Sequence, residues 1–532
     1  MFARTSTVSL LGAVGHVIDV QVDVSPGVVG AKVVGRPDTA INESRERCRT
    51  AMDHANLRWP NDKRVTILLS PADVPKRGPH FDLAIAMAVL AASDPKFPGE
   101  QLREWAMIGE LTLDGQLRSV VGALPMVMAI AARGISKVLV PEPQAAEAAL
   151  VAGVQVTGVR SLRQALAAVT GTELPQAPAV QPDSGERLIR WRGEERLQDI
   201  DMGDLLGMED ARFALEVAAA GGHHLMFTGP KGAGKTSLAE RLPTILPDLD
   251  RDQQLELTAV YSLAGGLKPG APLLTRPPFR APHHSASRAA ILGGGTGRIR
   301  PGEVSKAHLG VLFLDEFPLL PTDIIEALRQ PLESGEISLS RGEDEAIFPA
   351  RGIVVLAANP CPCGEYHPGN RDNPCICTEV RRRDYRRKLS GPIADRIDIA
   401  RFVEPEFGAG RVPDPTNRPQ TSQEIRHRVT AARQRQAERY SGHDWRINAH
   451  VPGPIIRQNW PMTPAAMQAL DVEIYSGRIT RRGATRVHRL AWTIADLRDV
   501  PTPGTDEFLI ALQLRTGQPL QYGAVETIWS AS

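Results

Sequence analysis

Apolar residues in the first third of the chain follow two rhythms. The runs "VIDVQVDV", "VTILLS" and "KVLVP" alternate or cluster as strands do, whereas "HFDLAIAMAVLAAS" and "ALPMVMAIAARG" are long apolar stretches of helical character. Strands interleaved with helices predict an α/β domain. "LPQAPAVQPDSGE" (Leu174 to Glu186) breaks the rhythm. Rich in Pro, Ala and Gln and without period, it reads as an extended linker. Beyond it, "HHLMFTG", "GVLFLDE" and "GIVVLAAN" are short apolar strands separated by helices and loops, the pattern of a parallel sheet buried on both faces. A second proline-rich passage, "VPDPTNRPQTS", precedes "QEIRHRVTAARQRQAERY" and "RITRRGATRVHRLAWTIADLRD", whose Ile, Val, Leu and Ala recur at helical spacing. The last third is therefore predicted to be mostly helical, and no repeat of solenoid period is evident.

Two motifs sit at the ends of these strands. "GPKGAGKT" follows "HHLMFT" and opens a helix at "SLAERL". In that setting Gly229, Pro230, Lys231, Gly232, Ala233 and Gly234 form a loop whose backbone N–H groups cradle phosphates. Lys235 would reach the β/γ oxygens, the Thr236 hydroxyl would meet Mg²⁺, and Ser237 continues into the helix. Some eighty residues on, "VLFLDE" ends a strand in Asp315 and Glu316. Phosphoryl transfer to water needs one acid to hold Mg²⁺ through its waters and another to orient or deprotonate the nucleophile. ATP and Mg²⁺ are the expected cofactors.

Composition narrows the partners. With 62 Lys+Arg against 61 Asp+Glu the chain is nearly neutral, so a nucleic-acid surface would have to be local. Arg381 to Lys388 holds six cations in eight residues, and between Arg411 and Asp499 there are fifteen Arg and no Lys against eight Asp+Glu. With Tyr385, Tyr440, Trp445 and Trp492 nearby, these stretches predict phosphate contact. No signal-peptide profile opens the chain, and the longest apolar run, "LAIAMAVLAA", is far short of the ~20 residues that span a bilayer, so a cytoplasmic protein without membrane contact is expected.

Four of the five cysteines crowd into "NPCPCGEYHPGNRDNPCIC". Cys361, Cys363, Cys375 and Cys377 form C-x-C, eleven residues, C-x-C. Four thiolates suffice for tetrahedral Zn²⁺, although C-x-C is tighter than the usual structural spacing; a redox-sensitive thiol cluster and metal-free packing stay open. Cys48 reads as an ordinary helical thiol.

Together with "FRAPHHSASRAAILGGG", "NPCPCG" and "LSGPIADRIDI", these motifs resemble the ComM/YifB family, magnesium-chelatase-related AAA+ ATPases, almost end to end. The resemblance implies an α/β protein with a Lon-protease-like N-terminal domain (1–172), a linker (173–195), a P-loop AAA+ parallel-sheet core with a helix-2 insert and the cysteine cluster (196–408), and a helical lid with C-terminal tail (409–532). It implies sensor-1 function for Asn359, an arginine finger at Arg396 offered to a neighbouring subunit, and a sensor-2 arginine at Arg482, with Arg481 and Arg486 as rivals. Pro278 to Ser305 would hold a hairpin in the insert, and "LESGEISLSRGEDEAIFPARG" a second hairpin, both pointing into a ring's pore. His283 and His284 would be structural or polymer-contacting. In the Lon-like domain His80 stands where those proteases carry serine, and Leu124 where they carry lysine, so no peptidase dyad is expected. The family further implies a homo-hexameric motor on branched or single-stranded DNA, acting with recombination proteins. A chelatase-like or chaperone-like remodeller of a protein partner is the alternative.

Overall fold

The computed structural model describes residues 1–532 except 96, 98, 181–199, 206, 268–269, 296–298, 342–343, 367–373, 390, 392, 405–418 and 521–532. Most of the expected linker, most of the second proline-rich passage and the end of the tail lie outside the described residues.

Phe2–Leu11 and Val14–Ser25 form an antiparallel ribbon closed at Gly12, whose φ of +60° and contact with the backbone of Ile347 both favour glycine. Along the second strand Ile18, Val20, Val22 and Val24 point inward and are buried, while Asp19, Gln21 and Asp23 alternate outward. This ribbon is the middle of a seven-stranded sheet ordered Gly30–Val34, Arg64–Ser70, Val14–Ser25, Phe2–Leu11, Trp105–Met107, Lys137–Pro141, Gln155–Val159. The helix Asp82–Ser93 is buried on nearly every side, which accounts for its unbroken apolar sequence.

The second sheet has five parallel strands in the order Phe279–Arg280, Val311–Leu314, Ile353–Ala358, Leu225–Thr228, Ile399–Phe402. The sequence pattern points to the three central ones. Both edges escape it: Ile399–Phe402 exposes alternate residues, and Phe279–Arg280 is too short to show a period. The segment expected to hold the insert's hairpin, Pro278 to Ser305, thus begins inside the central sheet. Among the described residues, the helix Arg288–Leu292 and the short ladder of Gly293–Gly294 with Arg300–Pro301 stand apart as an insert. The second expected hairpin forms as Glu336–Arg341 paired with Asp344–Pro349.

The two sheets share one apolar cluster, in which Val8, Leu10 and Leu124 meet Leu263, Leu292, Phe348 and Leu356. Polar ties reinforce it. Glu147 accepts from the Leu124 N–H and the Ser262 hydroxyl, and the Ala13 N–H donates to Ile347 O at 3.2 Å. The second hairpin is therefore anchored on the N-terminal domain along its return strand.

C-terminal helices Ser422–Arg439, Gly453–Asn459, Pro464–Tyr475, Arg481–Leu497 and Thr505–Thr516 follow. The helix Arg481–Leu497 runs across the N-terminal ends of the central strands. Near its start Arg486 bonds Asp398, which precedes the edge strand, and further on Thr493 meets His223, which precedes Leu225–Thr228. Among the described residues no helix is long and apolar enough to cross a membrane.

Candidate functional site

All five central strands run the same way, so their C-terminal ends gather on one side. There the chain turns from Leu225–Thr228 into the loop Gly229–Gly234, with the Gly229 N–H on Ala358 O at 3.2 Å. A Cβ at Gly229 would stand 2.2 Å from Val403 O, so only glycine lets this loop leave between its neighbours. Gly232 and Gly234 take φ of +76° and +85°, turning the loop into the helix Lys235–Ile245.

Lys235 is 7 % exposed, and its ammonium donates to Gly229 O and Pro230 O at 2.7 Å and to Asn359 Oδ1 at 3.1 Å. Burial pulls its pKa down, against the opposing pull of Asp315 and Glu316. Thr236 Oγ1 lies 3.5 Å from Asp315 Oδ2. Adjacent ligands of octahedral Mg²⁺ stand about 3 Å apart, so this pair fits that ion with a small closure, or with the carboxylate acting through water. Glu316 adopts a left-handed φ of +48°, and its N–H bonds Asp315 Oδ1 at 2.8 Å, which turns the two carboxylates into different directions. Glu316 Oε1 accepts from Asn359 Nδ2 at 3.4 Å. The structure thus brings Lys235, Thr236, Asp315, Glu316 and Asn359 to one place. Such a constellation can bind a nucleotide's phosphates, hold a divalent cation and aim a water.

One neighbour, expected to be structural or polymer-contacting, stands beside the carboxylates instead. His284 Nδ1 lies 3.7 Å from Glu316 Oε2, while His283 bonds Ser285 Oγ at 2.6 Å. A histidine just past an edge strand is the only sequence signal for this contact, and it is weak without the sheet order.

The arginines lie elsewhere. Arg396 is two residues before Asp398, whose N–H bonds His224 O where the strands begin. A four-residue strand such as Ile399–Phe402 spans about 13 Å, so Arg396 sits at the end of the sheet away from this chain's own P-loop. Its guanidinium meets Glu333 at 2.6 Å, on the wall of a 480 Å³ cleft shared with Arg288, Glu326 and Arg329. Arg482 is exposed, one turn before Arg486 on the helix crossing that same end, and the structure does not bring it to this chain's P-loop. Arg481 is also exposed. Arg486, the third rival, is committed to the buried Asp398 and to Asp395 O.

The arginine-rich C-terminal region needs correction. Arg428, Arg435, Arg439, Arg486 and Arg498 pair with Glu216, Asp499, Asp496, Asp398 and Glu507, and Arg426, Arg433 and Arg489 donate to backbone carbonyls. Tyr440, Trp492 and Tyr385 are 1 %, 5 % and 6 % exposed, and Trp445 packs on His443, so these rings offer no stacking platform. Much of the excess charge ties the helices together. Open charge remains at Arg481 and Arg482 and on the helix Glu379–Leu389, with Arg381, Arg383, Arg386 and Arg387 exposed.

In the N-terminal domain His80 is buried with Nε2 on Val8 O at 2.7 Å, and Leu124 is wholly buried, so neither position supplies a nucleophile or a base. Cys48 is buried with its thiol on Asp82 O at 3.3 Å. The four clustered cysteines converge: their sulfurs all lie within 4.8 Å of one another.

The profile described as magnesium chelatase, subunit ChlI, matches residues 201–409. A profile for subunit ChlI of Mg-chelatase matches 20–144, and one for the ChlI C-terminal region matches 419–515. The chain is 36 % identical over 490 residues to the competence protein ComM of Haemophilus influenzae, covering 92 % of each. It is 36 % identical over 491 residues to the uncharacterized protein YifB of Escherichia coli, again covering 92 % of each. An uncharacterized protein of Mycobacterium tuberculosis is 43 % identical over 513 residues, 96 % of this chain and 98 % of that one.

Proposed function

From the premise that this chain belongs to the ComM/YifB family of magnesium-chelatase-related AAA+-type ATPases, we propose that it hydrolyses MgATP as a hexameric ring and uses the energy to move along DNA, migrating branched junctions. The observation that carries the ATPase half is the meeting of Lys235, Asp315, Glu316 and Asn359 at the strand ends. Lys235 binds the β/γ-phosphates, Thr236 and Asp315 hold Mg²⁺, Glu316 orients the attacking water, and Asn359 fixes Glu316. A resident Zn²⁺ in the cysteine cluster completes the cofactors.

The position of two arginines supports the ring. Arg396 and Arg482 stand at the opposite end of the sheet from their own P-loop, where a guanidinium could reach the nucleotide of a neighbouring subunit and stabilise its transition-state charge. DNA as the track is supported by the competence protein among the relatives and by the exposed cations of Glu379–Leu389. That helix follows directly from the sensor loop, which gives polymer contact a short route to Asn359. Recombination proteins are the expected company of such a motor.

The deciding experiment measures ATP turnover and conversion of a mobile four-way junction in one reaction, across a salt series. Turnover should rise with DNA, binding should weaken steeply with salt as counterions are released, and junction movement should require hydrolysable ATP. If no form of DNA stimulates turnover and binding is negligible even at low salt, the track is a protein and the chain is a remodeller.

A further inference from the structure

The cysteine turn leaves the central sheet immediately after Asn359 and folds back over the phosphate loop. Cys361 O accepts from the Gly364 N–H at 3.0 Å, closing the turn, and Gly364 takes a φ of +86°. At that point the side chain of Lys231 lies flat against Gly364. A Cβ there would meet Lys231 Cγ and Cε at 2.9 Å and Cδ at 3.1 Å. Two residues further, the Tyr366 ring lies under the guanidinium groups of Arg382 and Arg386, at 4.7 and 5.5 Å. Tyr385, on the same helix as those arginines, is buried, and burial pushes its hydroxyl pKa up while the nearby backbone of Asn359 pulls it down. A single turn therefore touches the phosphate loop, the sensor asparagine and the basic helix.

What holds that turn is the thiol cluster. Cys361 Sγ lies 3.2 Å from Cys363 Sγ, and Cys375 Sγ is 3.6 Å from each of them. With Zn–S bonds of about 2.3 Å, the edges of a tetrahedral site are about 3.8 Å. Four sulfurs within 4.8 Å match that set closely. Besides these contacts the turn has little apolar anchorage, since among its described residues only Cys361 and Gly364 are buried.

Building on the reading of this site as an ATPase with a zinc-bearing cluster, we infer that the four-cysteine zinc turn is a positioning clamp for the nucleotide: it sets Lys231 of the phosphate loop against Gly364 and fixes the distance from that loop to the basic helix. Metal occupancy then controls ATP affinity directly. Zinc contributes cross-linking only and takes no part in the hydrolysis.

Three variants and two readouts test this. Metal content is measured by elemental analysis on the full chain purified without added metal, and nucleotide affinity with Mg²⁺ and a fluorescent ATP analogue. Wild type should carry about one zinc per chain. Cys375→Ser should lose it and bind nucleotide about tenfold more weakly, the lower end of what loss of a metal-site support costs. Gly364→Ala keeps every ligand, so it should keep its zinc while losing affinity through collision with Lys231. Adding Lys231→Ala to Gly364→Ala should recover part of that loss, a non-additivity that marks the contact.

Wild type that holds iron or no metal overturns the zinc site. Wild type with zinc, together with Cys375→Ser and Gly364→Ala variants of unchanged affinity, overturns the clamp and leaves the metal standing. Wild type with zinc that binds no nucleotide overturns the ATPase reading and the clamp with it.

Discussion

Replacing Arg486 by alanine separates two roles that one arginine-rich helix start could play. Asp398 is 2 % exposed and lies between Arg486, the His224 N–H at 3.0 Å and His223 Nδ1 at 3.7 Å. Burial alone would raise its pKa; the charge of Arg486, and the two histidines after it, hold the carboxyl well below the usual range instead. At an effective dielectric of about 20, a pair of unit charges near 4 Å is worth about 4 kcal/mol. The His224 N–H survives the substitution, and Arg486 is itself 14 % exposed. Arg486→Ala should therefore cost about 3 kcal/mol, the low end for stripping one partner from a buried pair. Denaturant unfolding followed by tryptophan fluorescence is a suitable assay, because Trp445, Trp460 and Trp492 lie among these helices. The sign with pH is fixed. A depressed carboxylate pKa contributes stability that is present above its unfolded value of about 3.9 and is lost as pH falls through the folded value. In Arg486→Ala the stranded carboxylate can protonate, so the deficit should be largest at neutral pH and shrink towards pH 4. Arg482→Ala, changing an exposed side chain, should unfold with the wild type. Equal stability of Arg486→Ala and wild type, or an equal loss for Arg482→Ala, would refute the reasoning.

At the nucleotide site, Glu316→Gln should keep nucleotide bound while turnover falls at least about 100-fold, the scale of a lost general base, and Lys235→Ala should fail at binding. Equilibrium binding and phosphate release read the two separately. Arg396→Ala should be inactive alone yet regain activity when mixed with Lys235→Ala subunits, since such rings contain interfaces with both an intact P-loop and an intact finger; no recovery in verified mixed rings counts against action in trans. His284→Ala should lower turnover about fivefold at unchanged nucleotide affinity, the worth of one polar contact to Glu316. A fall in affinity with normal turnover would remove His284 from that role.

The phosphate loop, the Asp315–Glu316 pair and the two C-x-C pairs are legible in the sequence as short motifs at or just past the ends of apolar strands, whereas the role of Asn359 comes from the family resemblance. Their chemistry needs only local backbone geometry. What escaped is set by partners distant in the chain. Arginine counting could not anticipate that Arg428 would meet Glu216, or Arg486 meet Asp398, and so took internal neutralisation for open charge. Nor could it tell that Tyr440 and Trp492 point inward. His284 comes to Glu316 only because Phe279–Arg280 pairs beside Val311–Leu314, a two-residue match with no periodicity to reveal it.

The apolar cluster common to both sheets changes what the N-terminal domain is. Severing the chain in the 173–195 stretch would leave Val8, Leu10 and Leu124 on one fragment and Leu263, Leu292 and Phe348 on the other, each facing water where it had faced its counterpart. At about 25 cal/mol for every Å² of apolar surface uncovered, fragments of that kind aggregate or re-associate. The N-terminal domain is in this respect part of the same packed core as the central sheet. Through Ala13 on Ile347 it holds the return strand of the second hairpin by its backbone, so that hairpin and domain are one structural unit.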